Sequence, residues 1–126
     1  MKSKNCSIYA ASNLSENELV FRLADGLVGI CSNLSIIEMP GYEISINRND
    51  EFNEEKQKVF PDGFLFFRFI IDLDFVENNN INPVSEVNRV LTWFWENNYP
   101  AIASCDYEVE LLNKGGYNSV DVPWIK

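Results

Sequence analysis

The chain has 126 residues and carries 19 acidic against 10 basic residues, for a formal net charge of -9. Its length suits one domain spanning residues 1–126, and a hydrophobic content of 46% is enough for a packed core. Because so acidic a surface repels phosphate groups, the charge argues against binding to nucleic acid or to an anionic membrane.

The amino-terminal region predicts a strand followed by a helix. Residues 5–11 predict the short first strand. Ser15 is a good N-cap and Glu18, three residues later, completes a capping box, so a helix is predicted to begin here. Gly26 predicts the end of this helix, because glycine readily adopts the left-handed conformation that closes a helix.

The next region predicts extended chain and a long hairpin. Residues 28–33 are ambiguous, whereas residues 35–39 and 42–47 predict extended segments separated by a Pro-Gly turn. Residues 49–58 are polar and charged without sustained periodicity, so we expect an exposed hairpin loop there.

Residues 64–75 predict the strand at the centre of the fold. Every odd position is apolar, and this alternation is typical of a strand with one buried face. These positions are Leu65, Phe67, Phe69, Ile71, Leu73 and Phe75. The other face begins with apolar side chains and ends with Asp72 and Asp74. Such a strand requires helices to cover its apolar face.

A second helix is predicted to begin at Asn82, its N-cap, with Pro83 as its first residue. Its apolar side chains lie within one arc, which Trp93 does not share. The arc contains Val84, Val87, Val90, Leu91, Phe94 and Trp95.

The carboxy-terminal region predicts one more strand and a docked tail. Residues 101–105 form a compact apolar segment, and residues 106–111 alternate between acidic and apolar side chains, which predicts extended chain. Gly115 and Gly116 predict a turn. Residues 120–126 are too apolar for a free terminus, so we expect them to pack on the core.

The predicted elements follow the order strand, helix, strand, strand, helix, strand. This order predicts an α+β fold, a ferredoxin-like βαββαβ sandwich with an antiparallel sheet and two helices on one face. Right-handed crossovers would place the first and third strands in the centre of the sheet.

Asp106, Glu108 and Glu110 form the most specific candidate site. In a strand, alternate residues share one face, so the three carboxylates would make a row roughly 7 Å apart. Such a row suits the lysines or arginines of a protein partner. The alternative is the solvated side of an edge strand, where charges prevent sheets from aggregating.

The sequence offers little for catalysis. It contains no histidine, which removes the commonest general base and most zinc sites. Asp72 and Asp74 suggest a carboxylate site, but an ion pair with Arg68 is the simpler interpretation. The acidic neighbours of Cys105 would raise the pKa of a thiol and weaken it as a nucleophile. We therefore predict no enzymatic activity, no metal and no cofactor.

The cysteines and the termini predict a cytoplasmic protein. Cys6, Cys31 and Cys105 are an odd, scattered set without a C-x-x-C motif, which fits free thiols in a reducing compartment. The first residues lack the apolar region of a secretory signal, and no apolar run is long enough to span a membrane.

Aromatic side chains outside the predicted core are candidate interface anchors. Trp93 lies off the apolar arc of its helix, and Tyr117 and Trp124 lie in the terminal segment. Exposed aromatic residues with charged neighbours are typical of the centres of protein interfaces. The alternative for Trp124 is that it holds the tail on the core.

The second half of the chain resembles the small acidic immunity proteins of bacterial contact-dependent growth inhibition and related polymorphic toxin systems. The resemblance rests on the helix segment LTWFW at residues 91–95, the strand at 101–105, the acidic stretch 106–110 and the segment 115–124. It implies a cytoplasmic protein that binds one cognate toxin domain, often a nuclease, and neutralises it. Because a nuclease site is basic, an acidic surface with aromatic anchors suits such a partner. The expected contacts are Asp106, Glu108, Glu110, Trp93 and Tyr117.

Two other classes of function remain open. A small enzyme or ligand-binding module would need a pocket with perturbed acids or with Cys105. A homo-oligomeric structural protein would use the outer face of the sheet, where Phe64, Phe66 and Ile70 are expected to lie.

Overall fold

The structure is a computed structural model that describes residues 4–77 and 80–125. In this part of the chain, six strands form one antiparallel sheet that is accompanied by two α-helices. The elements are β1 (Cys6–Ala10), α1 (Glu16–Leu27), β2 (Ile30–Asn33), β3 (Ile36–Met39), β4 (Tyr42–Arg48), β5 (Phe69–Phe75), α2 (Pro83–Glu96) and β6 (Ala101–Ser104). The α+β class is as predicted.

The order of the strands in the sheet is β2-β3-β4-β5-β1-β6. It differs from the predicted four-stranded sandwich, because residues 28–39 add strands at one edge. The ambiguous region 28–33 contributes β2, an exposed edge strand that pairs only with β3. Low burial explains the ambiguity, since all four residues of β2 are exposed and none alternates with a buried neighbour.

The amino-terminal helix begins where the sequence predicts and ends later. The hydroxyl of Ser15 accepts a hydrogen bond from the Glu18 backbone N–H at 3.2 Å, which confirms the N-cap. The predicted end at Gly26 is wrong, because the helix continues to Leu27 and Val28 takes the left-handed cap with φ 58°. Glycine at position 26 serves packing: a Cβ there would lie 2.2 Å from Nε1 of Trp93.

The prediction of a central strand over residues 64–75 is confirmed for its second part and wrong for its first. β5 begins at Phe69, whereas residues Asp62–Phe66 form a 3-10 helix. Leu65 is 45% exposed, while the later odd positions are buried. The amide of Asn49 explains the change, because Nδ2 donates to the carbonyls of Leu65 and Phe67 at 2.9 and 2.8 Å. These carbonyls are thereby satisfied without a neighbouring strand.

One face of the sheet carries both helices and the main core. The second helix has the predicted caps: Asn82 Oδ1 accepts from the N–H of Val84 at 3.0 Å, and Pro83 is the first residue. The buried residues of the two helices pack against inward-facing residues of the strands. On α1 these are Leu19, Val20, Leu23, Ala24 and Leu27, and on α2 they are Val87, Val90, Leu91 and Phe94.

The prediction of extended chain over residues 106–111 is wrong. The chain turns after β6 and forms a short 3-10 helix at Glu108–Glu110. The cause is Tyr107, which is buried and donates a hydrogen bond from its hydroxyl to the Lys4 carbonyl. This contact draws the chain inward and prevents it from continuing along the sheet.

The tail packs on the protein as predicted over residues 122–125, whereas Val120 is 89% exposed, and residue 126 lies outside the described residues. The Trp124 ring lies 5.2 Å from that of Phe67, centroid to centroid, and its Nε1 donates to the Lys58 carbonyl at 3.1 Å. Gly115 and Gly116, which were predicted to form a turn, end the irregular 3-10 segment Leu112–Gly116, and both have positive φ.

Candidate functional site

The sheet has a second face that the helices do not cover, which we call the open face. On β1, β4 and β5 it carries the side chains that alternate with the buried positions of the strand. The strand register places these side chains in rows that run across the sheet.

The first row consists of three carboxylates, Glu38, Glu43 and Asp74, which we call the acidic ladder. Glu38 of β3 lies directly opposite Glu43 of β4, and Glu43 lies directly opposite Asp74 of β5. All three side chains are exposed. Since neighbouring strands are 4.7–4.9 Å apart, the ladder spans roughly 10 Å.

A shallow cavity of about 420 Å³ lies at the acidic ladder. It is lined by all three carboxylates and by residues around the turn between β3 and β4, including Gly41 and Tyr42. The cavity offers room for a cationic side chain from another molecule.

We expect the carboxylates of the acidic ladder to repel one another in the isolated protein. Like charges that lie directly opposite each other on paired strands are destabilising. The salt bridges in the described part of the chain join Lys58 to Glu55 and Arg89 to Glu86, so none of them involves the ladder. A cationic partner would relieve this repulsion.

Asp72 extends the acidic character into the next row. It accepts a hydrogen bond from the Ser7 hydroxyl at 2.6 Å and another from Nδ2 of Asn47 at 3.1 Å. These bonds fix the carboxylate on the open face. Asp72 therefore adds negative charge to the ladder without the freedom of a surface side chain.

An aromatic cluster of Tyr9, Phe64 and Tyr117 lies on the same face. The Tyr9 and Phe64 rings meet edge to face at 5.3 Å, and those of Phe64 and Tyr117 at 5.7 Å. The Tyr117 hydroxyl donates to Oδ1 of Asp62 at 2.6 Å, and this hydrogen bond raises the pKa of Tyr117. Tyr117 is 45% exposed, so its ring is both held in place and accessible.

The acidic ladder and the aromatic cluster form parts of one surface. Tyr9 lies opposite Ile70 on β5, which is four residues before Asp74. At the rise of a strand, this separation is roughly 14 Å. A partner interface of standard size would cover both features.

The structure does not assemble the acid row predicted from the sequence. Asp106 and Glu110 are exposed, whereas Glu108 is half-buried and its Oε2 accepts from the Cys105 N–H at 3.2 Å. Asp106 lies in the turn after β6, and Glu108 and Glu110 lie in a 3-10 helix, so the three residues lack the shared strand face that the prediction assumed.

Trp93 is held between the helices and away from the open face. Its ring packs on Gly26 of α1, meets Phe94 edge to face at 5.1 Å and lies 6.1 Å from the Tyr99 ring. The side chain is half-buried. Of the five expected contact residues, Tyr117 is the one that the structure places in the aromatic cluster.

The acidic ladder was missed because it joins three separate segments. Asp74 was visible as an outward position of the central strand, and Glu38 and Glu43 flank the predicted Pro-Gly turn. If that turn is treated as a hairpin, the two glutamates become opposite neighbours. The pairing of Glu43 with Asp74 depends on the register of β4 and β5, which the local pattern does not determine.

The structure also bears on metal binding and on thiol chemistry among the described residues. They contain no group of three or more cysteine, aspartate or glutamate side chains placed to hold a metal ion. Burial raises the pKa of Cys105, which disfavours the thiolate. None of the described helices is both long and apolar enough to cross a membrane.

Comparison of the chain with models of protein families, with curated proteins and with solved structures gives no match.

Proposed function

We propose that this protein is an immunity protein: it binds a basic toxin domain, such as a nuclease, and neutralises it through the open face of its sheet. The acidic ladder carries the proposal. Repulsion among three opposed carboxylates destabilises the free protein. Lysine or arginine side chains of a partner remove this repulsion when they bind, and its removal contributes to the free energy of binding.

The net charge of the whole chain supports the same partner. At -9, the protein attracts a basic domain over distances comparable with the Debye length, which raises the rate of encounter. A nuclease must carry positive charge where it holds phosphates, so an acidic protein competes for that surface. The cavity at the ladder suits one inserted cationic side chain.

The aromatic cluster supplies the apolar part of the proposed contact. Tyrosine and tryptophan are enriched among residues that dominate binding energy, because they bury a large area at low entropic cost. Tyr117 is the proposed anchor, since its hydrogen bond to Asp62 and its contact with Phe64 hold the ring before a partner arrives. The ladder replaces Asp106, Glu108 and Glu110 as the proposed acidic contact.

We also infer a ferredoxin-like core within the larger sheet. The order β4-β5-β1-β6, with antiparallel pairing throughout and a helix after β1 and after β5, corresponds to that of a βαββαβ sandwich. In this interpretation β2 and β3 are an extension at one edge.

A growth assay tests the proposed function. Each reading frame beside the gene is expressed alone and together with this protein. We expect one frame to arrest growth, this protein to restore growth, and the two products to form a 1:1 complex that dissociates as salt rises. If no toxic neighbouring product is neutralised by the protein, the proposal fails.

A second candidate function is binding of a small molecule, which a separate cavity of about 400 Å³ favours. Its lining combines Phe52, Tyr99 and Trp124 with the charged side chains of Arg68 and Glu54. Native mass spectrometry of the purified protein would reveal a retained ligand, and a ligand-free mass would argue against this function.

A further inference from the structure

Two of the three cysteines lie at one end of a pair of neighbouring strands: Cys6 begins β1, and Cys105 directly follows β6. Ser7 of β1 lies opposite Ser104 of β6 in the antiparallel register, so the next residues outward are Cys6 and Cys105. The two side chains are close enough for each thiol to affect the pKa of the other. Residues directly opposite on antiparallel strands have Cα atoms about 4.5–5.5 Å apart, within the span that a disulfide bridges.

The chain is tied together on both sides of this pair. On the inner side, the ladder between β1 and β6 begins at Ser7 and Ser104. On the outer side, the Tyr107 hydroxyl donates to the Lys4 carbonyl. The two cysteines are therefore held close by contacts that do not involve sulfur.

The two thiols differ in their access to solvent. Cys6 is 3% exposed and belongs to the core, whereas Cys105 is half-buried at the surface end of the pair. Cys31 is exposed on β2, at the opposite edge of the sheet from β6, so it cannot reach either of them.

We propose that Cys6 and Cys105 are a site of reversible oxidation, at which a small-molecule disulfide such as oxidised glutathione converts them to an intramolecular disulfide. The Cys105 thiolate attacks one reagent sulfur and releases one glutathione thiolate. Cys6 then loses its proton, attacks Sγ of Cys105 and releases the second. Two protein thiols are oxidised, one reagent disulfide is reduced to two thiols, and the two protons pass to the released thiolates.

The reaction should be slow at neutral pH and faster in base. Burial raises the pKa of Cys6 and of Cys105, so only a small fraction of either is thiolate. Because that fraction grows about tenfold per pH unit below the pKa, the initial rate should rise by about that factor between pH 7 and pH 8.

The disulfide would fasten the segment after β6 to the first strand. It closes a loop of about 100 residues, and cross-links over long loops restrict the unfolded chain most strongly. We expect the oxidised form to unfold at a temperature about 10 °C higher than the reduced form. This inference does not depend on the proposed function.

The test uses the full chain with Cys31→Ser, which removes the unrelated thiol. After incubation with oxidised glutathione, we expect the intact mass to fall by two hydrogen atoms and proteolysis to yield one linked peptide containing Cys6 and Cys105. Dithiothreitol should restore the original mass. Adding Cys6→Ala should stop the reaction at a glutathione adduct on Cys105.

Cys6 lies in the core, so its replacement also changes the packing there. The variant Cys31→Ser/Cys105→Ser keeps Cys6 and should likewise give no cross-link. A lasting glutathione adduct without a cross-link in the Cys31→Ser protein would overturn the proposal. So would an unmodified mass at pH 8, or an oxidised form that gains no thermal stability.

Discussion

Asn49 is buried in the loop after β4, and each part of its side-chain amide has a partner. Nδ2 donates to the carbonyls of Leu65 and Phe67, and Oδ1 accepts from the Glu51 N–H at 3.0 Å. A single side chain therefore holds the loop and fixes where the following segment leaves the sheet.

Asn49→Ala should lower the free energy of unfolding by about 3 kcal/mol, because it leaves two carbonyls without their donor. Chemical denaturation of both proteins measures the loss. The control is Asn17→Ala on the exposed side of α1, which should change stability by less than about 0.5 kcal/mol. Equal effects at the two positions would contradict the role of Asn49.

The ionisation of Tyr42 is expected to make the folded protein less stable at alkaline pH. Burial, followed by the hydrogen bond that its hydroxyl donates to Glu86, raises the pKa of Tyr42. Above pH ~10 the unfolded chain loses this proton while the folded protein keeps it, so stability falls by about 1.4 kcal/mol per pH unit. Below that pH this tyrosine contributes no slope.

Tyr42→Phe should remove the contribution of Tyr42 to the fall in the free energy of unfolding above pH ~10. The measurement is the free energy of unfolding of both proteins from about pH 9 to pH 11. Identical slopes for wild type and variant would show that Tyr42 is not the group responsible.

At the scale of elements, local signals located the N-caps of both helices, but neither the end of the first helix nor the limits of the strands. Ser15 and Asn82 cap their helices through contacts three or fewer residues away, which a sequence displays directly. The start of β5 depends on Asn49, and the turn after β6 depends on the bond between Tyr107 and Lys4. Such long-range contacts override an alternating pattern, so both strands were predicted too long.

The contact between the two helices depends on Gly26. A Cβ at this position would lie 2.2 Å from Nε1 of Trp93 and 2.4 Å from its Cδ1. Gly26→Ala should therefore destabilise the protein by about 1–3 kcal/mol, although alanine is the better helix former by about 1 kcal/mol.

The sign of this effect should reverse when the indole is removed. In a Trp93→Leu background, Gly26→Ala should become neutral or stabilising, because the helix preference then acts without the clash. A double-mutant cycle of thermal unfolding measures both values. Destabilisation in both backgrounds would show that Trp93 is not the obstacle.

At the scale of the whole molecule, composition predicted an acidic surface and the structure determines where the acids converge. The sequence suggested Asp106, Glu108 and Glu110 because they are close in the chain. The acidic ladder comes from three different strands, so it becomes visible only once the strands are paired in register. Surface clusters that combine residues from distant segments are difficult to predict from one sequence, because they depend on strand pairing and register.

The most direct test of the proposed function is the salt dependence of association with the toxin found in the growth assay. The test variant, Glu43→Lys/Asp74→Lys, reverses two charges of the acidic ladder. The control variant, Asp25→Lys/Glu96→Lys, makes the same change in net charge at exposed positions on the helices. At low salt we expect the ladder variant to associate at least ~10-fold more slowly, with a weaker salt dependence, and the helix variant less than ~3-fold more slowly. If both variants slow association equally, or if neither does, the acidic ladder is not the binding site.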